Sequence, residues 1–182
     1  FPRSAEDPPP TRLQRMPTTS FGDLADAFLR EELEDSPVRG TALGLTEYDD
    51  RLDDLSEAAM TRRRDRDAHW LGEFRAAGDD TLSDDEQIDR DLVISILRGR
   101  QIVEDFEMWR RQPDTYLNPG MQGIFLLFLH RLRPTEELVD AAVSRMAQIP
   151  DNLADAERNL DPALVPPIFL DRAANQAPAG AR

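Results

Sequence analysis

The chain has 182 residues, with 36 acidic side chains against 22 basic ones, every one of the latter an arginine, and a formal net charge of -14. Nucleic acids and anionic lipid surfaces are held mainly by excess lysine and arginine, so this balance excludes a general nucleic-acid surface and argues against anionic membranes as partners. Cysteine is absent, which removes disulfides, thiolate metal sites and cysteine nucleophiles.

Residues Phe1 to Pro17 are rich in proline and polar residues, with Pro8, Pro9 and Pro10 in succession, and read as an extended or disordered lead-in over residues 1–18. Thr19 and Ser20 then cap a helix with Phe21, Leu24, Ala25, Phe28, Leu29 and Leu33 on one side, closed by Ser36 and Pro37. The stretch from Ser36 to Ser56 keeps no helical period and reads as a long loop, and long ordered loops are often functional. Ser56 opens a second helix through Phe74 that stops at Gly78. Its Arg62 to Arg66 run reads as a solvated face paired with acids elsewhere.

The stretch from Asp84 to Gln112 organises the rest. Ile88, Leu92, Ile96, Val103 and Phe106 recur at helical spacing, with Gly99 on the same stripe, so one apolar face is predicted to need covering by shorter helices. Ser83 and the acids at 84–86 start this helix and Pro113 is expected to end it, giving a length of roughly 43 Å. A turn-rich segment over 113–120 leads into a short helix around Ile124 to Leu129, expected to be buried on most sides. Pro134 opens a helix with the stripe Leu138, Ala142, Val143, Met146 and Ile149, which Pro150 should end, and Asp151 caps a brief helix through Leu160. A last helical piece spans Ile168 to Ala174 before a tail over 177–182. The predicted fold is all-α, an irregular bundle of about six to seven helices around one long central helix, forming a single domain over 19–176. No apolar run is long enough to cross a bilayer, so no membrane insertion is expected. The chain opens on Phe1, which would fit the loss of a leader or tag, and a cytoplasmic, periplasmic or secreted site all stay open.

Chemistry is sparse. The only histidines, His69 and His130, lie far apart, neither beside an Asp/Glu/His cluster at ligand spacing, and no HExxH helix occurs. No glycine-rich phosphate loop and no nucleophile elbow is present. The adjacent acids Asp49–Asp50, Asp53–Asp54 and Asp79–Asp80 read as turns and solvated caps. Trp109 and Tyr116 bracket the turn at Pro113 and read as closing a core edge. No catalytic residue, metal ligand or cofactor is assigned within this chain.

Three segments in order carry a resemblance: FGDLADAFLREELEDSPVRGTALGLTEYDDRLDDLS from Phe21, IDRDLVISILRGRQIVEDFEMWRRQPDTYL from Ile88, and RMAQIPDNLADAERNL from Arg145. Together they resemble the helical N-terminal region of a large bacterial family of uncharacterised proteins placed among the gluzincin, or thermolysin-like, zinc peptidases. The resemblance implies a zinc-dependent hydrolase whose HExxH-type helix and further glutamate ligand lie downstream of these residues, with zinc expected in the full-length protein. It implies a non-catalytic helical part that forms one wall of a substrate cleft. Tyr48 and Asp49, in the loop that also holds Thr46, and Tyr116 are then the candidates to face a peptide substrate. The partner would be the remainder of the same polypeptide. The alternative from a different class is a self-contained acidic helical protein-interaction module.

Overall fold

The computed structural model describes residues 20–180, and every regular element among them is helical. In chain order these are α1 (Phe21–Asp35), α2 (Pro37–Ala42), α3 (Glu57–Ala76), α4 (Asp84–Asp105), α5 (Asp114–His130), α6 (Thr135–Asn159) and α7 (Pro167–Gly180). The expected all-α class is what the chain adopts. The lead-in over 1–18 lies outside the described residues, and α7 extends into the stretch read as a tail.

The starts of three helices follow directly from local chemistry. Ser20 and Ser83 each form a capping box, with Asp23 and Glu86 returning to the cap backbone, and Ser56 accepts from the Ala59 N–H. These bonds satisfy amide donors that a helix start leaves unpaired. Behind the caps, the helices assemble as two pairs. α3 packs on α4 with α1 across them, around Phe28, Trp70, Leu71, Phe74 and Leu97. α5 packs on α6, with α2 and α7 against α5, around Leu127, Leu138, Ala141 and Ala142.

Five expectations are corrected. The Asp84–Gln112 helix ends at Asp105, because Glu107 turns left-handed at φ 47° and a 3-10 turn follows at Met108–Arg110. Tertiary bonds hold that break: the Tyr116 hydroxyl donates to the Trp109 carbonyl at 2.7 Å, and the Asp161 N–H to the Arg110 carbonyl at 3.0 Å. Nor is α4 a covered central helix. Its inward stripe is Val93, Ile94 and Leu97, whereas Ile88, Leu92, Ile96, Val103 and Phe106 stay 43–66% exposed.

α5 begins at Asp114, so the turn-rich segment is helical through Pro119, and only one side of the Ile124–Leu129 run is covered: Leu126 and Leu127 are buried while Phe125 and Leu129 are exposed. Gly120 and Gly123 permit this packing, since a Cβ would come within 3.1 Å of Ile149 at the first and 3.0 Å of Leu52 at the second. α6 runs through Pro150 to Asn159 as one helix of 25 residues. Interior proline is normally a break. Here the turns on both sides are tied to the same loop, by Ser144, Arg145 and Gln148 before the proline and by Asn159 after it.

That loop is the fifth correction. Ser36–Ser56 contains α2 and a 3-10 turn at Thr46–Tyr48, and it lies as a strap along α6. Ser144 and Gln148 donate to the Asp50 carbonyl at 2.9 and 2.8 Å, Gln148 accepts from the Leu52 N–H at 2.9 Å, and Asn159 donates to the Leu55 carbonyl at 3.0 Å. At Gly40 a Cβ would meet the Tyr48 ring at 2.5 Å, so α2 seats directly on the strap.

Candidate functional site

The strap is organised by Arg145. Its guanidinium is fully buried and donates to the Arg51 carbonyl at 3.0 Å, the Tyr48 carbonyl at 3.1 Å, the Thr41 hydroxyl at 2.6 Å and the Gly123 carbonyl. Thr41 passes the interaction on, its hydroxyl donating to Asp49 at 2.8 Å. Burial pushes the Arg145 guanidinium below its usual range, and the negative charges of Asp49, Asp53 and Asp50 act against that shift.

Tyr48, Asp49 and Tyr116, the residues expected to face a substrate, are all buried, at 6%, 4% and 2% exposure. They do not share one place. Tyr48 and Asp49 belong to the Arg145 cluster, with Asp49 also 3.7 Å from Arg133, while Tyr116 packs with Leu55 and Met60. Tyr116 is engaged through its hydroxyl with Trp109, and Arg51 lies over the Tyr48 ring at 5.1 Å.

An open groove of about 840 Å³ lies elsewhere, where the two helix pairs face each other across the α1–α2 corner. Ile96, Gly99 and Val103 of α4 form one wall, and Asn118, Pro119 and Gln122 of α5 form the other. A charge network runs beside it. Glu32, 4% exposed, accepts a bidentate pair from Arg100 at 2.7 and 2.6 Å, and further bonds from Arg39 at 2.8 Å and Arg66 at 3.1 Å. Arg66 also pairs with Asp67 at 2.8 Å and Asp35 at 2.6 Å. Burial alone would raise the Glu32 pKa, but the Arg100 bonds, with the charges of Arg66 and Arg39, hold it below its ordinary value.

Two carboxylates of the groove are not compensated in this way. Glu104 is raised, by burial first and then by the charge of Asp67, and Arg64 and Arg63 offset this only in part. Asp53 is raised by burial, against the bond it accepts from the Val38 N–H at 3.1 Å and the charges of Arg63 and Arg145. Among the described residues neither makes an ion pair, and the buried Arg63 Nε between α3 and the strap finds no acceptor.

The sequence pattern points these charges to solvated faces, whereas the fold gathers them into this network. The signal was there: Glu32 lies one turn after Phe28, Asp67 three residues before Trp70, and Arg100 three after Leu97, so each is in register with a core residue. Arg62 and Arg64 fit the expected solvated face, whereas the Arg66 side chain is only 10% exposed. No group of three or more His, Cys, Asp or Glu that could hold a metal ion occurs among the described residues. No helix among them is long and apolar enough to cross a membrane.

Fold and groove together define a helical domain of two packed helix pairs tied by a buried arginine and an arginine–carboxylate network. The chain belongs to the family of bacterial proteins of unknown function designated DUF885, which matches residues 37–182. Its fold is similar to that of a candidate lipoprotein of unknown function from Shewanella oneidensis, with a TM-score of 0.79 at 20% identity over 90% of this chain. This chain spans 29% of that protein's chain. No curated protein matches.

Proposed function

We propose that this chain is the non-catalytic helical part of a larger zinc-dependent, peptidase-like hydrolase, forming one wall of its substrate cleft. The zinc-binding HExxH-type helix belongs to the remainder of the polypeptide, and no step of the chemistry is assigned to the residues described here. The observation that carries the reading is the uncovered apolar stripe of α4, Ile88 through Phe106, in a fold that spans 29% of the chain it resembles. Self-contained domains rarely leave so continuous an apolar face in water, and such faces mark surfaces built to be covered.

The test compares two purified proteins on a mixed peptide library. The native polypeptide is expected to cleave peptides, to lose that activity to a chelator and to regain it with zinc, while the 182-residue chain alone is inactive. Chelator-resistant cleavage by the native polypeptide, or cleavage by the chain alone, overturns the reading.

A further inference from the structure

The groove between α4 and α5 has the features of a helix-docking site. Its α4 wall continues the exposed stripe, so Leu92, Ile96, Val103 and Phe106 make one apolar ridge more than three turns long. Gly99 interrupts that ridge, and a Cβ there would touch nothing within 4 Å, leaving a notch where another backbone can approach closely. The opposite wall extends along α5 through Met121 to Phe125, which is 61% exposed. Apolar ridges separated by a small-residue notch are the surface on which an amphipathic helix lays its apolar face.

Charge selects among such helices. Most of the groove's arginine donors are already committed: Arg100, Arg66 and Arg39 to Glu32, and the Arg63 Nη2 to the Asp35 and Asp54 carbonyls, with the buried Arg63 Nε unpaired. Glu104 and Asp53 make no ion pair, Asp53 accepting only the Val38 N–H, and the start of α4 adds the exposed acids Asp85 and Asp89. A partly buried carboxylate without a cation is unfavourable as it stands and becomes favourable once an ammonium or guanidinium reaches it.

We infer that the α4–α5 groove is the docking site for an amphipathic helix of the same, larger polypeptide, one that carries a basic residue against Glu104 and Asp53. This rests on the larger-polypeptide reading above, and it names the surface through which the two parts join. Complementary charge argues for this occupant over a second copy of the chain, whose own α4 face would set Asp85, Asp89 and Glu104 against like charges.

Carbene footprinting of the native polypeptide and of the 182-residue chain reads the ridge directly. Leu92, Ile96, Val103 and Phe106 are expected to label severalfold less in the native polypeptide than in the isolated chain. In parallel, Glu104→Gln is expected to lower the melting temperature of the native polypeptide by about 3 °C and to leave that of the isolated chain unchanged or higher. Equal labelling of the ridge in a native protein much larger than this chain overturns the docking and leaves the larger-polypeptide reading standing. Protection already present in the isolated chain, with a dimeric mass, assigns the groove to a second copy and overturns the inference. A Glu104→Gln variant that raises the melting temperature of both proteins removes the basic residue from it. A native mass near 20.6 kDa removes the larger polypeptide itself.

Discussion

Arg145→Leu is expected to destabilise the chain by about 4 kcal/mol and to lower its melting temperature by roughly 10 °C. Two effects oppose each other here. Leucine relieves the desolvation that already pushes the buried guanidinium below its usual range, and that relief favours the variant. Against it, the Arg51, Tyr48 and Gly123 carbonyls and the Thr41 hydroxyl each lose a donor, the last three in fully buried bonds. The Tyr48 carbonyl keeps the Arg51 N–H at 3.2 Å, but the Thr41 hydroxyl and the Arg51 carbonyl lose bonds worth roughly 1–3 kcal/mol each and Asp49, Asp53 and Asp50 lose the positive charge they face, and together these outweigh one relieved charge. Arg62→Leu is the control: its ion pair with Asp54 is exposed on both sides, and its loss should cost less than about 1 kcal/mol. Thermal melts followed by circular dichroism decide it, and an Arg145→Leu variant melting with the Arg62→Leu control would mean that the strap is held by something else.

Glu32→Gln is expected to cost about 3 kcal/mol at neutral pH, because it keeps the shape of the side chain and removes the charge that Arg100, Arg66 and Arg39 share. The pH dependence follows from the direction of its shift. Folded Glu32 lies below its ordinary value of 4.5, so its contribution is fully present above that value and is lost as pH falls through the lower, folded one. The unmodified chain should therefore lose stability more steeply than Glu32→Gln on acidification below about pH 4.5, and the two curves should converge. Urea unfolding at a series of pH values measures this; parallel curves would show that Glu32 is not held by the arginines. Glu104 and Asp53 carry the opposite sign. Folded, they keep protons that the unfolded chain releases, so each subtracts stability as pH rises through the interval between its unfolded and folded values.

The parts of the fold legible in the sequence are those set by a few neighbouring residues. Ser20, Ser56 and Ser83 mark helix starts because a cap is a bond within four residues, and the structure places all three there. Elements whose ends are decided across the chain were not legible. Pro150 does not break α6, since Ser144, Gln148 and Asn159 hold the helix to the strap on both sides of it. The Glu107 turn exists because Tyr116 and Asp161 bond its carbonyls from other elements.

The stripe of α4 is the instructive case. Ile88, Leu92, Ile96, Val103 and Phe106 form a better apolar period than Val93, Ile94 and Leu97, yet the second set faces the core. Register is decided by Arg90 and Arg100 beside it, which reach the Ala77 carbonyl and Asp79 on one turn and Glu32 on another. A satisfied, partly buried polar network specifies a unique packing, and here it accompanies the less regular stripe facing inward. The stronger stripe is then left exposed. Of the candidate site, the groove was not legible at all, because its walls come from helices whose facing is set only when α1 and α2 join the two pairs.

The central claim is that these residues are part of a larger polypeptide, and the intact mass of the native protein captured from its source tests it most directly. A mass well above the 20.6 kDa of this chain is the predicted result, and places the search for zinc ligands in the added residues. A mass near 20.6 kDa contradicts the account and gives the lead to a self-contained acidic helical interaction module.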